Sequence, residues 1–499
     1  MRLLHGLFLF FCNCLIAENA FNSQNNLKYY QQDIDVFYDA YVAEQRALDD
    51  AVGLAIGGRH PSSFSPPANP PPPDFVSGYL PVVLVNRSGY PDSQVYFLIT
   101  GKNLSSTNCW GSINTGNGVV TLQAVQSGDN STSFMIPFSS LPRSSTGRVA
   151  YVPETISGLF WFSIGSSLSM GVSGGEIVQP NPTSSSDANY YTNYDLFEYD
   201  FQLSGSPQIS CDATAVSFFS IPQYGYLAGA TSSASNTGLY QPRSYIMSQI
   251  AAAFNAVSLS SQWNKLLLSS GGNVLRVLST MKSMSIPSFD SNYLDDVASY
   301  GYSYISDVWN GPSSFYKTHN CNMSVTVTSP GTATYTYTGA VNAGDNTFEF
   351  TSSDGGPAVT FLAPTTAGGA TLHTSYLIFA AQNLTVAGGS PQPTAGTAAD
   401  AVSKLFEEAV IAGLIPTTNT LSLSYLSNNQ SNYYKVNSNL SATGQSTGPW
   451  YDLYSKTIHS LGSIYTYGFD EPLWPNVLLT GPFNNNSTYI GITIGNCKP

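Results

Sequence analysis

Charge is what this sequence has least of. Charged residues make up 9% of the 499-residue chain, and 17 Lys and Arg stand against 30 Asp and Glu, for a net charge of −13. Nucleic-acid binding depends on a basic surface that neutralises phosphates, so we expect no nucleic-acid partner. Beyond residue 17, the sequence also lacks any run near the ~18 apolar residues of a membrane-spanning helix, so we expect no transmembrane segment.

The common motifs of cofactor and nucleophile chemistry are missing as well. The sequence has no P-loop, no G-x-G-x-x-G after a strand pattern, no H-E-x-x-H and no G-x-S-x-G elbow. Its five His residues do not cluster, and no Cys/His spacing suits zinc, so we expect no metal and no cofactor. Carboxylates remain for chemistry, and glycoside hydrolysis commonly needs two of them.

Aromatic residues are plentiful, at 13% of the chain with 32 Tyr, and Ser, Thr, Asn and Gly are abundant. This composition is typical of a β-rich extracellular protein that binds neutral polar ligands. Aromatic faces stack on sugar rings, while amides and hydroxyls bond the sugar hydroxyl groups. Residues 1–17 resemble a secretory signal peptide, with Arg2 before an apolar core over Leu3–Ile16, so we expect the protein to be secreted.

Four cysteines remain after the expected cleavage of the signal peptide: Cys109, Cys211, Cys321 and Cys497. In an exported chain, four cysteines suggest two disulfides, for which three connectivities exist. Proximity along the chain favours pairing each cysteine with its nearest neighbour, the first with the second and the third with the fourth.

The sequence pattern changes several times along the chain. Apolar residues at helical spacing predict a helix over Asn26–Ile56, within a segment 18–58, which either packs on the body or dimerises the chain. A Pro-rich, semi-rigid linker follows over residues 59–75. Short β-branched strands with Gly and Asn turns predict a barrel or sandwich lobe over residues 76–225, with a possible return of C-terminal strands.

Residues 226–499 predict a mixed α/β lobe. The resulting fold class is β-rich α+β, with two lobes and a cleft between them where a ligand site is common. The predicted helices of this lobe are Tyr245–Val257, Ser260–Leu268, Ser291–Trp309 and Ala398–Ala412, and Ser324–Ala340 with Thr347–Ser352 predict β-hairpins.

The aromatic-rich stretch Asn189–Pro222 carries the candidate chemistry. Alternate residues of a strand share a face, so Glu198, Asp200 and Gln202 would line one face and the aromatic residues between them the other. Such a polar face could form the floor of a sugar-binding groove, or it could be the solvated side of a half-buried strand.

Several short motifs, in their order, resemble those of glycoside hydrolase family 64, the thaumatin-like β-1,3-glucanases. In the middle of the chain, Asp187, Asn189, Phe197 and Glu198 fit the family's D-x-N…F-E run, and AVSFFSIP (residues 215–222) fits V-D-F-x-x-L-P in spacing. The other motifs are LPVVLVNRSG (80–89), VYFLITG (95–101), SGLFWFSIG (157–165), GGEIVQP (174–180), QWNKLL (262–267), LRVLS (275–279), YLDDV (293–297), YSKTIH (454–459) and YTYGFDE (465–471).

This resemblance implies a thaumatin-like β-barrel lobe and a mixed α/β lobe flanking a wide groove. It implies endo-type hydrolysis of β-1,3-glucan with inversion, which requires two carboxyls ~6.5–9.5 Å apart. Glu198 falls on the family's general acid. The substrate-binding residues implied or suggested with it are Asp187, Asn189, Gln202, Tyr465, Asp470 and Glu471, of which the last two could instead be turn carboxylates.

The second catalytic carboxylate departs from the family's pattern. Ser217 stands at the position of the general base, and a Ser cannot act as a base without one of its own nearby. Asp200 or Asp212 could supply the missing carboxylate. Asp212 is an odd number of residues from Ser217, so in a regular strand it would point to the opposite face.

Three functions therefore remain open from the sequence. The first is an active β-1,3-glucanase, and the second is a glucan-binding protein that kept the groove but lost hydrolysis. The third is a structural or adhesive surface protein that oligomerises through its N-terminal helix. Measuring reducing-end release and glucan binding together would separate them.

Overall fold

The structure is a computed structural model that describes residues 64–257, 260–286, 304–364, 384–387, 393–434, 451–468 and 477–498. The residues from Phe64 onward form one compact unit. The predicted signal peptide, the N-terminal helix, residues 59–63 of the linker, and Asp470 and Glu471 lie outside the described residues. Within the described ranges, no helix has the length and apolar character needed to cross a membrane.

Strands dominate the described part of the chain, as the composition predicted. In chain order they are β1 Leu80–Asn86, β2 Val95–Lys102, β3 Asn108–Ile113, β4 Val120–Ala124, β5 Ile136–Pro137, β6 Arg148–Val152, β7 Thr155–Ile164, β8 Val172–Ser173, β9 Glu176–Ile177, β10 Asn193–Gln202, β11 Gln208–Ala213, β12 Phe218–Phe219, β13 Gln223–Leu227, β14 Asn236–Gly238, β15 Leu267–Ser270, β16 Asn273–Leu278, β17 Cys321–Val327, β18 Ala333–Val341, β19 Phe348–Ser352, β20 Val359–Phe361, β21 Leu479–Pro482 and β22 Ile490–Ile494. The α-helices are α1 Arg243–Asn255, α2 Ser260–Trp263, α3 Phe315–Thr318, α4 Ala398–Ile411, α5 Leu423–Asn428 and α6 Leu453–His459.

Two large sheets form the first part of the fold. The eight-stranded sheet has the order β21-β11-β10-β7-β2-β3-β4, with β5 beside β2. The five-stranded sheet has the order β14-β13-β22-β1-β6, in which β1 and β22 run parallel. The C-terminal strands β21 and β22 therefore return to sheets that N-terminal strands begin.

Aromatic side chains fill the space between these two sheets. On β7 and β10, the rings of Phe160 and Phe197 stack with centroids 6.4 Å apart, and both residues are fully buried. Gly225 of β13 faces them from the five-stranded sheet, and a Cβ at Gly225 would lie 2.5 Å from the Phe197 ring. Each buried Phe contributes about 1.5–3 kcal/mol, so this aromatic layer holds the two sheets together.

Smaller sheets and most of the helices follow. β12, β16 and β15 form a three-stranded sheet, and β17 to β20 form a four-stranded antiparallel sheet against which α4 packs. Trp309 links the two layers, because its ring meets Phe348 of β19 at 5.1 Å and Phe406 of α4 at 5.6 Å. This arrangement fits the mixed α/β character predicted for the second half, while the boundary at residue 225 stays a prediction.

Two of the predicted helices are confirmed, and residues 291–303 of the helix predicted over Ser291–Trp309 lie outside the described residues. The helix predicted over Tyr245–Val257 is α1. The helix predicted over Ala398–Ala412 is α4, whose N-cap is the Thr397 side chain. The helix predicted over Ser260–Leu268 is largely wrong, because α2 ends at Trp263 and β15 begins at Leu267. A four-residue helix followed by a 3-10 turn and a strand carries the same short apolar run, which periodicity alone does not distinguish.

The predicted disulfides are wrong: Cys109, Cys211, Cys321 and Cys497 are all buried free thiols. Cys109 lies on β3 and Cys211 on β11, with β10, β7 and β2 between them in the same sheet. Four strand spacings amount to ~19 Å, far beyond the Cα separation of ~4.4–6.8 Å that a disulfide allows. Cys321 and Cys497 lie on or beside strands of different sheets.

Candidate active site

Strand β10 places Glu198 and Asp200 on one face, as the sequence predicted. Its aromatic residues Phe197, Tyr199 and Phe201 are buried in the core, whereas Glu198 and Asp200 are partly exposed on the outer face of the eight-stranded sheet. The alternation follows from the two-residue period of a strand with one buried face. The outer face of β10 is therefore the floor of the candidate site.

The neighbouring strand β11 adds a third carboxylate to this face. In the antiparallel register of β10 and β11, Glu198 lies directly opposite Asp212, and Asp200 lies opposite Ser210. Directly opposed residues have Cβ atoms ~4.5–5.5 Å apart, and diagonal neighbours such as Asp200 and Asp212 are ~7–8 Å apart. Asp212 is only 6% exposed, so its carboxyl group lies deeper in the sheet surface than that of Glu198.

Asp200 has a structural contact that the sequence did not reveal. The pairing of β10 with β7 is irregular between Tyr199 and Phe201, and Ser157 on β7 takes a left-handed conformation with φ of 49°. The backbone N–H of Ser157 donates to Asp200 Oδ1 at 3.0 Å. This bond gives the N–H a partner at the point where the regular pairing of β7 with β10 is interrupted. Burial raises the pKa of the Asp200 carboxyl, and the bond from Ser157 offsets part of that rise.

A groove with a volume of about 480 Å³ runs over this face. Its floor comes from β2, β3, β7, β10 and β11, and the short hairpin of β8 and β9 supplies a wall. The lining is polar, with four carboxylates and one lysine. The residues that line the groove are Thr100, Gly101, Lys102, Asn108, Ser157, Gly158, Leu159, Glu176, Ile177, Gln179, Glu198, Tyr199, Asp200, Ser210, Asp212 and Leu478.

Three of the residues assigned to substrate binding lie elsewhere. Asp187 and Asn189 bind each other, since Asp187 Oδ1 accepts from the Asn189 backbone N–H at 2.7 Å and from its Nδ2 at 3.0 Å. The Asn189 side chain also bonds the backbone of Ser169 through both its oxygen and its nitrogen. Gln202 lies opposite Gln208 at the end of β10 and does not line the groove. The contacts of Asp187 and Asn189 are thus those of residues that shape the loop before β10.

Ser217 and Tyr465 do not line this groove. Ser217 directly precedes β12, and its carbonyl accepts from the backbone N–H of Ser279 at 3.0 Å. Tyr465 is 8% exposed, and its backbone pairs alongside the end of β11 through Ala213 and Ala215. The structure therefore brings Glu198, Asp200 and Asp212 together in one groove and leaves Ser217 outside its lining.

One end of the groove could not be predicted from the sequence. Lys102 of β2, Asn108 of β3 and Glu176 of β9 all line it. Lys102 and Glu176 are 74 residues apart in the chain. Glu176 stood in the GGEIVQP motif, which gave a signal for the hairpin but not for what it faces. The positions of Lys102 and Asn108 follow from sheet register, which no local motif encodes.

The chemistry that these side chains offer is that of carboxylates. A carboxyl group can donate a proton to a glycosidic oxygen, and a second one can activate water or attack the sugar. Among the residues that the structure describes, no three His, Cys, Asp or Glu side chains are grouped so as to hold a metal ion. The groove itself suits a neutral, hydroxyl-rich ligand, since amide, hydroxyl and carboxylate groups can all bond sugar hydroxyls.

Comparison with known proteins gives a family and a fold. The family model described as beta-1,3-glucanase, of glycoside hydrolase family 64, matches residues 78–471. A solved laminaripentaose-producing β-1,3-glucanase in complex with laminaritetraose is similar with a TM-score of 0.60 and 20% identity, covering 85% of this chain and 100% of that one. The β-1,3-glucanase domain from Clostridium beijerinckii is similar with a TM-score of 0.57 and 18% identity, at the same coverage. No curated protein matches the chain.

Proposed function

The chain belongs to glycoside hydrolase family 64, the β-1,3-glucanases, and we propose that it hydrolyses β-1,3-glucan with Glu198 and Asp212 as its two catalytic carboxylates. The observation that carries this proposal is the register of β10 and β11, which sets Glu198 directly opposite Asp212 on the floor of the groove. The substrate class comes from the family, and a polar groove of this volume suits a chain of neutral sugars.

In this proposal Glu198 is the general acid. It is the more exposed of the pair, and its position matches the family's general acid in sequence. Its carboxyl group protonates the glycosidic oxygen as the bond to the anomeric carbon breaks. The proton transfer contributes on the order of 10²–10⁴ in rate, so the loss of the Glu198 carboxyl is expected to abolish measurable hydrolysis.

Asp212 is the better candidate for the second carboxylate. Asp212 is the residue directly opposite Glu198 on the neighbouring strand, whereas Asp200 lies two residues along the same strand and faces Ser210. The ionised carboxylate of Asp212 removes a proton from the attacking water. In this chain it takes over the role that the family's pattern places at the position of Ser217.

The stereochemistry follows the family in our proposal, with inversion at the anomeric carbon. Inversion requires carboxyl groups ~6.5–9.5 Å apart, whereas the Cβ atoms of directly opposed residues are ~4.5–5.5 Å apart. The side chains of Glu198 and Asp212 must therefore diverge above the sheet to admit water, and the longer Glu side chain allows this. Proton NMR of the first product settles the matter, because inversion yields the α-anomer and retention the β-anomer.

Three further features belong to the proposal. Residues 1–17 direct export, the two large sheets correspond to the family's thaumatin-like lobe, and cleavage is endo-type within a long glucan. The composition supports export, the two packed β-sheets support the thaumatin-like lobe, and the polar groove supports binding within a long glucan chain. Recovery of the cleaved protein from the medium of expressing cells, with N-terminal sequencing, would test the export step.

The experiment that tests the proposed activity measures release and binding together. The purified protein is incubated with linear β-1,3-glucan, and reducing ends are measured beside the fraction of protein that sediments with insoluble glucan. We expect release in the wild type and none in Glu198→Gln, with binding kept in both. Gln has the size of Glu but no acidic proton, so the variant isolates the chemistry from the shape.

A second candidate function is glucan binding without hydrolysis. Ser217 favours it, because the position of the family's general base carries no carboxylate in this chain. In that case the wild type sediments with glucan and releases no reducing ends, and Glu198→Gln behaves like the wild type in both measurements. A protein that neither binds nor cleaves the glucan would contradict both functions.

A further inference from the structure

The groove has a polar end that the catalytic pair does not use. Lys102, Asn108 and Glu176 line it, on β2, β3 and the hairpin of β8 and β9. Counting strands across the sheet, β10, β7, β2 and β3 are consecutive neighbours, so Asn108 lies three strand spacings from Glu198. At ~4.8 Å per spacing this distance is roughly 14 Å, which places a sugar at this end a few rings away from the bond that is cut.

The hairpin is built to hold Glu176 in a fixed position. Gly174 and Gly175 both take positive φ, 61° and 81°, which is the conformation of a tight two-residue hairpin turn. Asn108 fastens this turn to the sheet, since its Nδ2 donates to Gly175 O at 3.2 Å and to Glu176 Oε2 at 2.8 Å. An exposed glutamate is usually mobile, so this anchoring distinguishes Glu176 from an ordinary surface carboxylate.

The anchoring leaves polar atoms available on the groove side. Glu176 uses only Oε2, and Asn108 uses only Nδ2, in the hydrogen bonds that they make with described residues. Lys102 lies directly opposite Asn108 in the register of β2 and β3, and its ammonium group makes no hydrogen bond or ion pair with a described residue. Two acceptor oxygens thus stand beside one donor, which is the complement of neighbouring sugar hydroxyls.

We propose that Lys102, Asn108 and Glu176 form a distal sugar-binding subsite that recognises a glucosyl unit several rings from the cleavage point. The inference rests on the proposed function for the nature of the ligand, and it adds a means of measuring chain length. A glucan that lies across the strands from Glu198 reaches this subsite only if it is long enough. Long chains therefore gain binding energy there that short oligosaccharides do not.

The test compares oligosaccharides of increasing length in wild type, Glu176→Ala and Lys102→Ala. Loss of a hydrogen bond to a charged group reduces affinity by about tenfold, so we expect each variant to raise KM about tenfold for long β-1,3-gluco-oligosaccharides. For oligosaccharides too short to reach across the sheet, KM should stay at the wild-type value, and kcat should be unchanged at every length. Isothermal titration calorimetry on the Glu198→Gln background measures the same length dependence as a dissociation constant.

The chain offers a matched control in Glu349→Ala. Glu349 lies on β19 of the four-stranded sheet, and its Oε1 accepts from Asn342 Nδ2 at 3.0 Å, so it reproduces the Asn–Glu pair away from the groove. This variant should behave as the wild type at every length. Equal effects of Glu176→Ala on short and long oligosaccharides, or no effect, would overturn the subsite.

The experiments can support or contradict the subsite independently of the proposed hydrolysis. If the wild type binds without cleaving and its affinity still depends on Glu176 only for long chains, the subsite holds and the proposed hydrolysis does not. If the wild type cleaves and the variants show no length dependence, the activity holds and the subsite does not. A wild type that binds no oligosaccharide of any length overturns both.

Discussion

Glu198 and Asp212 face each other across β10 and β11, on the outer surface of a sheet whose inner surface is packed with aromatic rings. The relationship is fixed by two strong constraints. The buried rings on β10 fix which residues point outward, and the antiparallel ladder fixes which residues of β11 lie opposite them. A slip of one residue in either strand would turn the carboxylate of that strand into the core, so the packing of the core determines the geometry of the candidate site.

The first prediction separates the two aspartates beside Glu198. We expect Asp212→Asn to lower kcat on β-1,3-glucan by about 10²–10⁴, because it removes the carboxylate proposed to activate water. Asp200→Asn should change kcat far less, since an Asn oxygen can still accept the N–H of Ser157. Initial rates of reducing-end release measure both variants, with circular dichroism to confirm folding. The reverse order of effects would assign the base to Asp200 instead.

The face carrying Glu198 could be predicted from the sequence, whereas the choice between Asp200 and Asp212 as the second carboxylate stayed open. The alternation along β10 is a local property, and it placed Glu198 and Asp200 together. Asp212 and Ser217 would point to different faces only if one regular strand ran through both residues. In the structure β11 ends at Ala213 and β12 begins at Phe218, so the two-residue period does not extend across the residues between them.

The groove wall and the cysteines also depend on contacts between distant parts of the chain, which the sequence did not predict. Lys102, Asn108 and Glu176 meet because β2, β3 and the β8–β9 hairpin fold together, and no local pattern gives that register. The cysteine pairing failed because proximity along the chain says little about position in a sheet where β11 and β3 are separated by three strands. Short-range periodicity was informative about faces, whereas contacts between distant segments required the fold.

The second prediction concerns the close packing beneath the groove. Gly158 of β7 pairs with Tyr199 of β10, and a Cβ at Gly158 would lie 2.3 Å from the Tyr199 ring. That ring cannot easily retreat, because it stacks on Phe160 with centroids 4.0 Å apart. We expect Gly158→Ala to lower the free energy of unfolding by about 1–3 kcal/mol, as overpacking of a core does.

Urea denaturation followed by tyrosine fluorescence measures this loss. Gly331→Ala is the control, because a Cβ at Gly331 meets no atom within 4 Å and its backbone is not in the left-handed region. The control should unfold at the same urea concentration as the wild type. An unchanged midpoint for Gly158→Ala would show that the strands can separate enough to accept a methyl group.

The third prediction follows from the free thiols. Cys109, Cys211, Cys321 and Cys497 are buried, and burial raises the pKa of each thiol, for Cys321 and Cys497 to about 12. We expect these four thiols to resist a thiol-reactive probe in the native protein and to react only after unfolding. A reducing agent should leave the unfolding temperature of the protein unchanged. A fall in that temperature on reduction would show that a disulfide stabilises the fold.

The fourth prediction concerns Asp195, a buried carboxyl group on the opposite face of β10 from Glu198. Its Oδ2 accepts the backbone N–H groups of Ser220 and Ile221 at 2.8 and 2.9 Å, and its Oδ1 accepts that of Leu196 at 2.9 Å. Burial is the largest influence on this group and raises its pKa from 3.8 to about 7, although these bonds and Arg276 act in the opposite direction.

This shift makes the free energy of unfolding depend on pH with a defined sign. Between about pH 4 and pH 7 the native state holds a proton on Asp195 that the unfolded state releases, so the contribution of this group to stability is greatest below about pH 4 and falls as the pH rises to 7. A shift of about three units corresponds to at most about 4 kcal/mol. Urea denaturation from pH 4 to pH 8 should show this fall in the wild type.

In Asp195→Asn the fall should be shallower, because the substituted side chain does not titrate. It should not vanish, since burial also raises the pKa of Asp452 to about 6. The contribution of Asp452 to the free energy of unfolding therefore falls over the lower part of the same pH range. Comparison with Asp452→Asn apportions the two contributions, with the Asp195 effect extending to the higher pH. Equal slopes in the wild type and Asp195→Asn would mean that the three backbone N–H groups and Arg276 compensate fully for burial and keep Asp195 ionised throughout.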